Sequence, residues 1–360
     1  MGQTSRYQLI LLGDSDQHLN DFKGMLIDRM SRLGLEMDKL IDYPTPECRV
    51  RNMPALAIYF KRRGIVENED ERVIKNLQSE GVPMVTVARS SDKIKEEQAS
   101  LLPSEDNFTL TSSDSYLKLA DYVLDLFGLL DKKKVLVNYE KEASDKIVKA
   151  LSRELLLRNY DVAEEPYQIN GHGDFEETCT DRLADSEILI FFHTSHSLKD
   201  PWVQARLAYA ARLQVGVVEV MEWDNVLPYG LLNKQVRLDK LAVLNRSKTG
   251  IAARLADIVE YLRIDNRTAQ TSNLTGTLCK YITKLSTVDW KLHPGYWVSS
   301  YQYDKTQCYV PAIGATHPEC FDALSARAER LVPKGEEKEK IYLLYDSCVR
   351  SLVTKRIEND

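Results

Sequence analysis

Two histidines, His193 and His196, follow the apolar run Glu187-Ile-Leu-Ile-Phe-Phe192 in the turn His193-Thr-Ser-His-Ser-Leu-Lys-Asp-Pro-Trp202. Imidazoles at a strand end can ligate a metal or hold a phosphate, but two ligands do not complete a metal site and no third is evident. The earlier loop Asn170-Gly-His-Gly173 carries Gly171 and Gly173. It reads as a turn and lacks the third glycine and helix register of a dinucleotide fingerprint. Downstream, His293, Cys308, His317 and Cys320 offer metal ligands or a Cys–His nucleophile. Their spacing fits no zinc motif, and Pro294 and Pro318 mark two of the histidines as turn residues. The aromatics Trp290, Tyr296, Trp297, Tyr301, Tyr303 and Tyr309 could serve an interface or stack bases. Basic residues are too sparse among them for nucleic acid, so a small core is the better reading. Asp200-Pro201 is helix-start chemistry, Asp as N-cap and Pro at the first position. Trp202 is then a helix-start anchor before it is a stacking platform, and Arg206 is a solvated helix residue before it is a phosphate contact.

Groups at strand ends need strands to place them. Tyr7-Gln-Leu-Ile-Leu-Leu12, Ala55-Leu-Ala-Ile-Tyr-Phe60 and Val82-Pro-Met-Val-Thr-Val87 are short apolar runs of the kind buried on both faces. Between them lie amphipathic helices. One has Phe22, Leu26, Met30 and Leu33 on one stripe and stops at Gly34; another spans 67–80 with Val73 and Leu77 inward; a third spans 114–130. The order then repeats. Leu9–Leu12 lies over Val135–Asn138, Phe22–Leu33 over Ile147–Asn159, and Ala55–Phe60 over Glu187–Phe192. Gly81–Val87 lies over Gln214–Val220, and the 114–130 helix over 250–262. This reads as an internal duplication; the plainer alternative is that any two βα-repeating domains look alike at this level. Strands alternating with helices predict parallel sheets covered on both faces, flavodoxin-like in order. The expected organisation is an α/β domain over 1–131, a second over 132–265, and an α+β appendage over 266–360. In the appendage, 266–273 reads as a polar loop, and 318–331 and 337–357 as helices, the last with Ile341, Leu344, Tyr345, Cys348 and Leu352 on one stripe.

With 360 residues, the chain is long enough for two or three domains. A net charge of −6 gives no electrostatic footprint for nucleic acid. No stretch approaches a membrane span, and the N-terminus lacks a signal-peptide core. The six cysteines form no CxxC pair, which points to reduced thiols and a cytoplasmic protein.

The stretch from about 133 to 262 resembles a Toll/interleukin-1 receptor (TIR) domain, and 7–130 resembles one more faintly. The residues that carry the likeness are Val137-Asn138-Tyr139-Glu140, the loop Ile169-Asn-Gly-His-Gly173, and Thr194-Ser-His-Ser197 followed by Pro201-Trp202-Val203. The resemblance implies a ligand site built from Asn138, Tyr139, Gly171, Gly173, His193 and Trp202, and NAD or an NAD-derived nucleotide as ligand. Enzymatic members cleave NAD with a Glu that stabilises charge developing at the anomeric carbon. That position here is Arg206, which has the wrong sign at any working pH. In the first copy the matching position is Val73.

Three functional readings follow. The first is a TIR-like signalling or assembly protein, of the kind that in bacteria serves antiphage defence. Its partners would be other TIR-like proteins, copies of itself or a nucleotide signal, not nucleic acid or membrane. The second is an NAD glycohydrolase with a relocated carboxylate, Glu71, Glu219 or Glu222. The third is an enzyme in the last hundred residues, regulated by the TIR-like pair.

Overall fold

The computed structural model describes residues 5–13, 17–51, 53–61, 68–89, 107–167, 182–194, 197, 200–221, 233–238, 248–284, 289–294, 297–302, 305–313, 326 and 338–344. The chain is α/β: two parallel five-stranded sheets flanked by helices, then a small mixed sheet of four strands.

The first sheet contains β1 (Tyr7–Gly13), β2 (Ile41–Asp42), β3 (Ala55–Phe60), β4 (Met84–Arg89) and β5 (Asn107–Leu110), in spatial order β2-β1-β3-β4-β5. Every residue of β3 is buried, as a central strand covered on both faces requires. Helix α1 (Gln17–Arg32) turns Phe22, Leu26 and Met30 inward, all at 0 % exposure. It stops where Gly34 takes φ 70, a left-handed conformation that glycine adopts without strain. The short α2 (Met37–Leu40) precedes β2. Helix α3 (Asn68–Ser79) buries Ile74 and Leu77, with Val73 only partly covered. Helix α4 (Ser113–Leu126) closes the layer with Leu119, Ala120, Val123 and Leu124.

The second sheet contains β6 (Lys133–Glu140), β7 (Tyr160–Tyr167), β8 (Ile188–Phe192), β9 (Gly216–Met221) and β10 (Asn233–Arg237). Its order, β7-β6-β8-β9-β10, is that of the first sheet strand for strand. The register also matches. Leu12 pairs Tyr59 and Tyr59 pairs Thr86 in one sheet; Asn138 pairs Phe191 and Phe191 pairs Glu219 in the other. Helix α5 (Lys141–Leu157) packs Val148, Leu151 and Leu155 on one face of the second sheet. Helix α6 (Pro201–Arg212) packs Ala210 and Leu207 on the other face, with Leu136 and Leu189.

Helix α7 spans Lys248–Thr283 and corrects the sequence reading, which ended it near 262 and made 266–273 a loop. The polar residues there have partners that leave the helix intact. Asn266 is buried, and its Nδ2 donates to the Gln214 carbonyl at 2.9 Å; Gln270 Nε2 donates to the same oxygen at 2.5 Å. Thr268 Oγ1 donates back to the Ile264 carbonyl, a bond that helical hydroxyls commonly make.

The third sheet, β11 (Asp289–His293), β12 (Trp297–Gln302), β13 (Lys305–Pro311) and β14 (Lys338–Leu344), runs in that order, antiparallel until β14 joins β13 in parallel. Strand β14 replaces the start of the helix expected over 337–357. Leu343 alternates with Tyr342 at period two, and Leu343 reaches the core of Trp297, Cys308 and Val310. The rest of that expected helix, and the one over 318–331 except Ala326, lie outside the described residues.

By contact density the chain falls into two compact units. Of the described residues, one contains those up to Asp131 with Leu274–Pro311 and β14; the other contains those from Lys132 to Asn273. In the first unit Lys291 of β11 donates to the Ser79 carbonyl, and His293 lies directly over Gly81.

Candidate functional site

Open α/β sheets bind ligands beyond the carboxyl ends of their strands, where the strand order reverses. In the second sheet the chain steps outward from β6 to β7 and then crosses back to β8, so the reversal lies between β6 and β8. Asn138 lies near the end of β6. It is fully buried, and its Nδ2 donates to the Glu165 carbonyl at 3.2 Å and to Glu165 Oε2 at 3.4 Å. Its Oδ1 has no partner.

Arg206 is not the solvated residue that the sequence suggested; it is 1 % exposed. Its Nη2 donates to Glu165 Oε2 at 2.5 Å, while its Nε and Nη1 are buried without partners. The cause is its place in the helix. Val203, Arg206, Leu207 and Ala210 share the inward stripe of α6. The same spacing was available in the sequence and marks position 206 as inward-facing. Sequence reasoning also missed Glu165. Adjacent carboxylates on a strand must face opposite sides of the sheet. Glu164 goes to Tyr139 and Ser152, while Glu165 meets Asn138, Arg206 and Arg182.

The capping expectation holds. Asp200 accepts a hydrogen bond from the Trp202 backbone N–H at 2.8 Å, with Pro201 next to it at the helix start. Trp202 lies half-buried beside the guanidinium, whose Cζ is 5.0 Å from the ring centre. Tyr139 is buried on β6 with its hydroxyl toward Glu164, burial first and the Glu164 charge second holding that phenol above its ordinary pKa. Asn138, Trp202 and Arg206 therefore share the α6 face, whereas Tyr139 faces α5. Gly171, Gly173, His196 and Glu222 lie outside the described residues.

His193 has two partners among the described residues. Its Nε2 lies 3.1 Å from Glu219 Oε2 on β9, and its Nδ1 lies 3.1 Å from Ser197 Oγ. A serine, an imidazole and a carboxylate in line is the arrangement of acyl-transfer enzymes. Here Ser197 is fully buried, and its hydroxyl bridges the Thr194 N–H and C=O, so it locks the turn after β8. Glu219 is likewise fully buried. Glu71 of α3 is a helix-surface carboxylate paired with Lys75 at 2.6 Å.

In the third sheet, His293 stacks on Trp297 with ring centres 3.8 Å apart, and its Nε2 meets Ser299 Oγ at 2.7 Å. Burial, with help from Lys291, pushes its imidazole down to about 4. Cys308 packs in the same core. Both are packing residues; His317, Cys320, Tyr296 and Tyr303 lie outside the described residues. Trp297 fills the sheet core, whereas Trp290 and Tyr301 are exposed. Among the described residues no cluster of three His, Cys, Asp or Glu could hold a metal, and no helix is long and apolar enough to cross a membrane.

No protein-family model matches the chain, and no curated protein matches it. Solved structures similar to it include a chain named as a two-component system response regulator/GGDEF domain protein, 13 % identical, over 71 % of this chain and 98 % of that one, with a TM-score of 0.26. Another is the ligand-free, open form of a substrate binding protein with adhesive properties from Clostridium difficile. It is 10 % identical, over 94 % of this chain and 99 % of that one, with a TM-score of 0.21. Scores this low say nothing of function, and the fold stands on the strand order itself.

Proposed function

We propose that the chain is a TIR-like signalling and assembly protein whose second α/β domain recognises a partner or a nucleotide-derived signal and does not cleave NAD. The observation that carries this reading is Arg206. It occupies the position of the family's carboxylate, and it is buried and ion-paired with Glu165. A guanidinium repels the positive charge that must develop at the anomeric carbon. The matching strand order and register of the two α/β domains support the same reading. Antiphage defence in a bacterial cytoplasm is the setting that fits it best.

The test is direct. The purified chain is incubated with NAD and nicotinamide release is followed; no turnover above background is expected. Turnover that disappears in Glu219→Gln, Glu71→Gln or Glu222→Gln would overturn the reading in favour of a relocated carboxylate. Size-exclusion chromatography with light scattering should then show self-association or a stable partner complex.

A further inference from the structure

We infer that the α6 face of the second domain's strand ends binds a small phosphorylated sugar, with Arg206 taking the phosphoryl oxygens and Asn138 taking a sugar hydroxyl. This deepens the recognition reading and rests on it for the site.

Unmet hydrogen-bonding capacity points there first. Arg206 Nε and Nη1 and Asn138 Oδ1 are buried with no partner, and so is Thr194 Oγ1 just past β8. Each such group costs on the order of 1–3 kcal/mol in a folded chain. The guanidinium and the amide share one Glu165 oxygen, through bonds of 2.5 and 3.4 Å, so they lie close enough for one small molecule to touch both. The cluster also reaches water. Glu165 is 17 % exposed and Arg182, 3.2 Å from it, is 60 % exposed.

Charge and donor type then define the ligand. On this face, among the described residues, Arg206 and Arg182 pair with Glu165, while the one other carboxylate at these strand ends, Glu219, is taken up by His193. Glu164 does not contribute, because it is turned to the α5 face. The unpartnered Arg206 N–H groups require an acceptor, and a guanidinium bonds a charged one most strongly, so that end of the ligand is anionic. Asn138 Oδ1 accepts only, so the ligand must also donate. The dianion of a phosphate monoester has no proton to give, and the lone O–H of inorganic phosphate lies on the group Arg206 holds; a sugar hydroxyl next to a phosphate reaches further and donates. The half-buried Trp202 ring beside Arg206 supplies an apolar flank for the sugar.

The experiment titrates the full chain with inorganic phosphate, ribose 5-phosphate and ribose by calorimetry. Ribose 5-phosphate should bind at least about tenfold more tightly than phosphate, and ribose without its phosphate should bind below detection. Asn138→Leu should erase that preference while keeping phosphate binding. Arg206→Lys, which keeps the charge and should keep the fold, should weaken both phosphates at least about tenfold, because the Nε donor and the planar fork are lost. Circular dichroism checks that both variants are folded. No heat with any probe, the result if the orphan atoms hold only buried water, overturns the inference. An unchanged sugar preference in Asn138→Leu overturns it too. Nicotinamide release is measured on the same samples. Turnover together with sugar-phosphate binding would defeat the recognition reading alone; absence of both would defeat this inference alone.

Discussion

At the opposite end of the second sheet lies a buried ionic cluster, and its response to mutation can be worked out from the geometry. Lys133 Nζ lies 3.0 Å from Glu260 Oε1, and Arg263 Nη2 reaches the same oxygen at 3.0 Å. Arg263 Nη1 pairs with Glu187 at 3.1 Å, and the Tyr160 hydroxyl donates to the other Glu260 oxygen. Lys133 and Glu260 are fully buried and Arg263 is 1 % exposed. Burial alone would raise the Glu260 pKa, but Arg263 and then Lys133 overcome it and bring it down from 4.5 to about 2. A carboxylate with a depressed folded pKa contributes stability that is complete above its unfolded pKa and lost as pH falls through the folded one. At ~1.4 kcal/mol per pH unit, the drop from 4.5 to about 2 is worth on the order of 3 kcal/mol. Glu260→Gln should therefore flatten the stability of the second domain between about pH 4.5 and pH 2. Glu260→Ala, which leaves two buried cations against Glu187 alone, should cost about 3–5 kcal/mol at neutral pH. Lys133→Met should cost clearly less, because Glu260 keeps Arg263 and Tyr160. Urea unfolding with hydrogen exchange read at β6 and α7 localises the loss to this domain. Equal costs for Glu260→Ala and Lys133→Met, or an unchanged acid profile in Glu260→Gln, would show that Glu260 does not hold the cluster. None of these variants should alter sugar-phosphate binding, which lies at the other end of the strands.

Other outcomes follow from the same contacts. Gly81→Ala should destabilise the first unit by about 2 kcal/mol or more, since a Cβ there would run into His293 Nδ1 and φ is +75. A double variant with His293→Ala, measured by thermal unfolding, should recover part of that loss, and strict additivity would refute the contact. The His293 imidazole, held down to about 4, takes up its proton later than it does in the unfolded chain. Its contribution is complete above about pH 6.5 and fades as pH falls toward 4; His293→Phe should remove that dependence from the unfolding curve. Arg206→Glu supplies the carboxylate that the TIR resemblance expects there but sets it against Glu165. It should lower stability and release no nicotinamide; turnover would mean that the frame needs only that one group. Glu71→Ala, a surface helix pair, should change stability by less than about 0.5 kcal/mol and leave every activity intact.

The central strands were legible because they are buried on both faces and read as unbroken apolar runs. Edge strands were not. Asn107-Phe-Thr-Leu110 and Asn233-Lys-Gln-Val-Arg237 pair on one side only and carry exposed polar residues, so neither run nor alternation marks them. Helix α7 was cut short for a related reason. Asn266, Thr268 and Gln270 have loop-forming side chains, and only the Gln214 and Ile264 carbonyls show how a helix keeps them. Strand β14 was taken for a helix because Ile341-Tyr-Leu-Leu344 is too short an apolar run for periodicity to decide. At the site, Asn138, Trp202 and Arg206 were found through the family likeness, but their partner Glu165 was not. Its role depends on which face of β7 it takes, and that needs the register of a strand not yet identified.

The matching registers of the two sheets separate frame from chemistry. The backbone arrangement past the third strand is the same in both copies: Lys61 N–H donates to the Val87 carbonyl at 2.9 Å, and His193 N–H to the Val220 carbonyl at 2.8 Å. Side chains at equivalent places diverge. Leu12 stands where the second copy has Asn138, Thr86 where it has Glu219, and Lys61 where it has His193. A shared register fixes the strands and the core but not the side chains at their carboxyl ends, the region where open α/β sheets place ligand sites. The acceptor for a sugar hydroxyl and the His193–Glu219 pair exist in one copy only. A Leu12→Asn exchange in the first domain should therefore fold, because Leu12 is only partly buried, yet confer no second sugar-phosphate site. A binding stoichiometry that rose from one to two would show that the β-strand end alone, without an inward arginine on the facing helix, is sufficient.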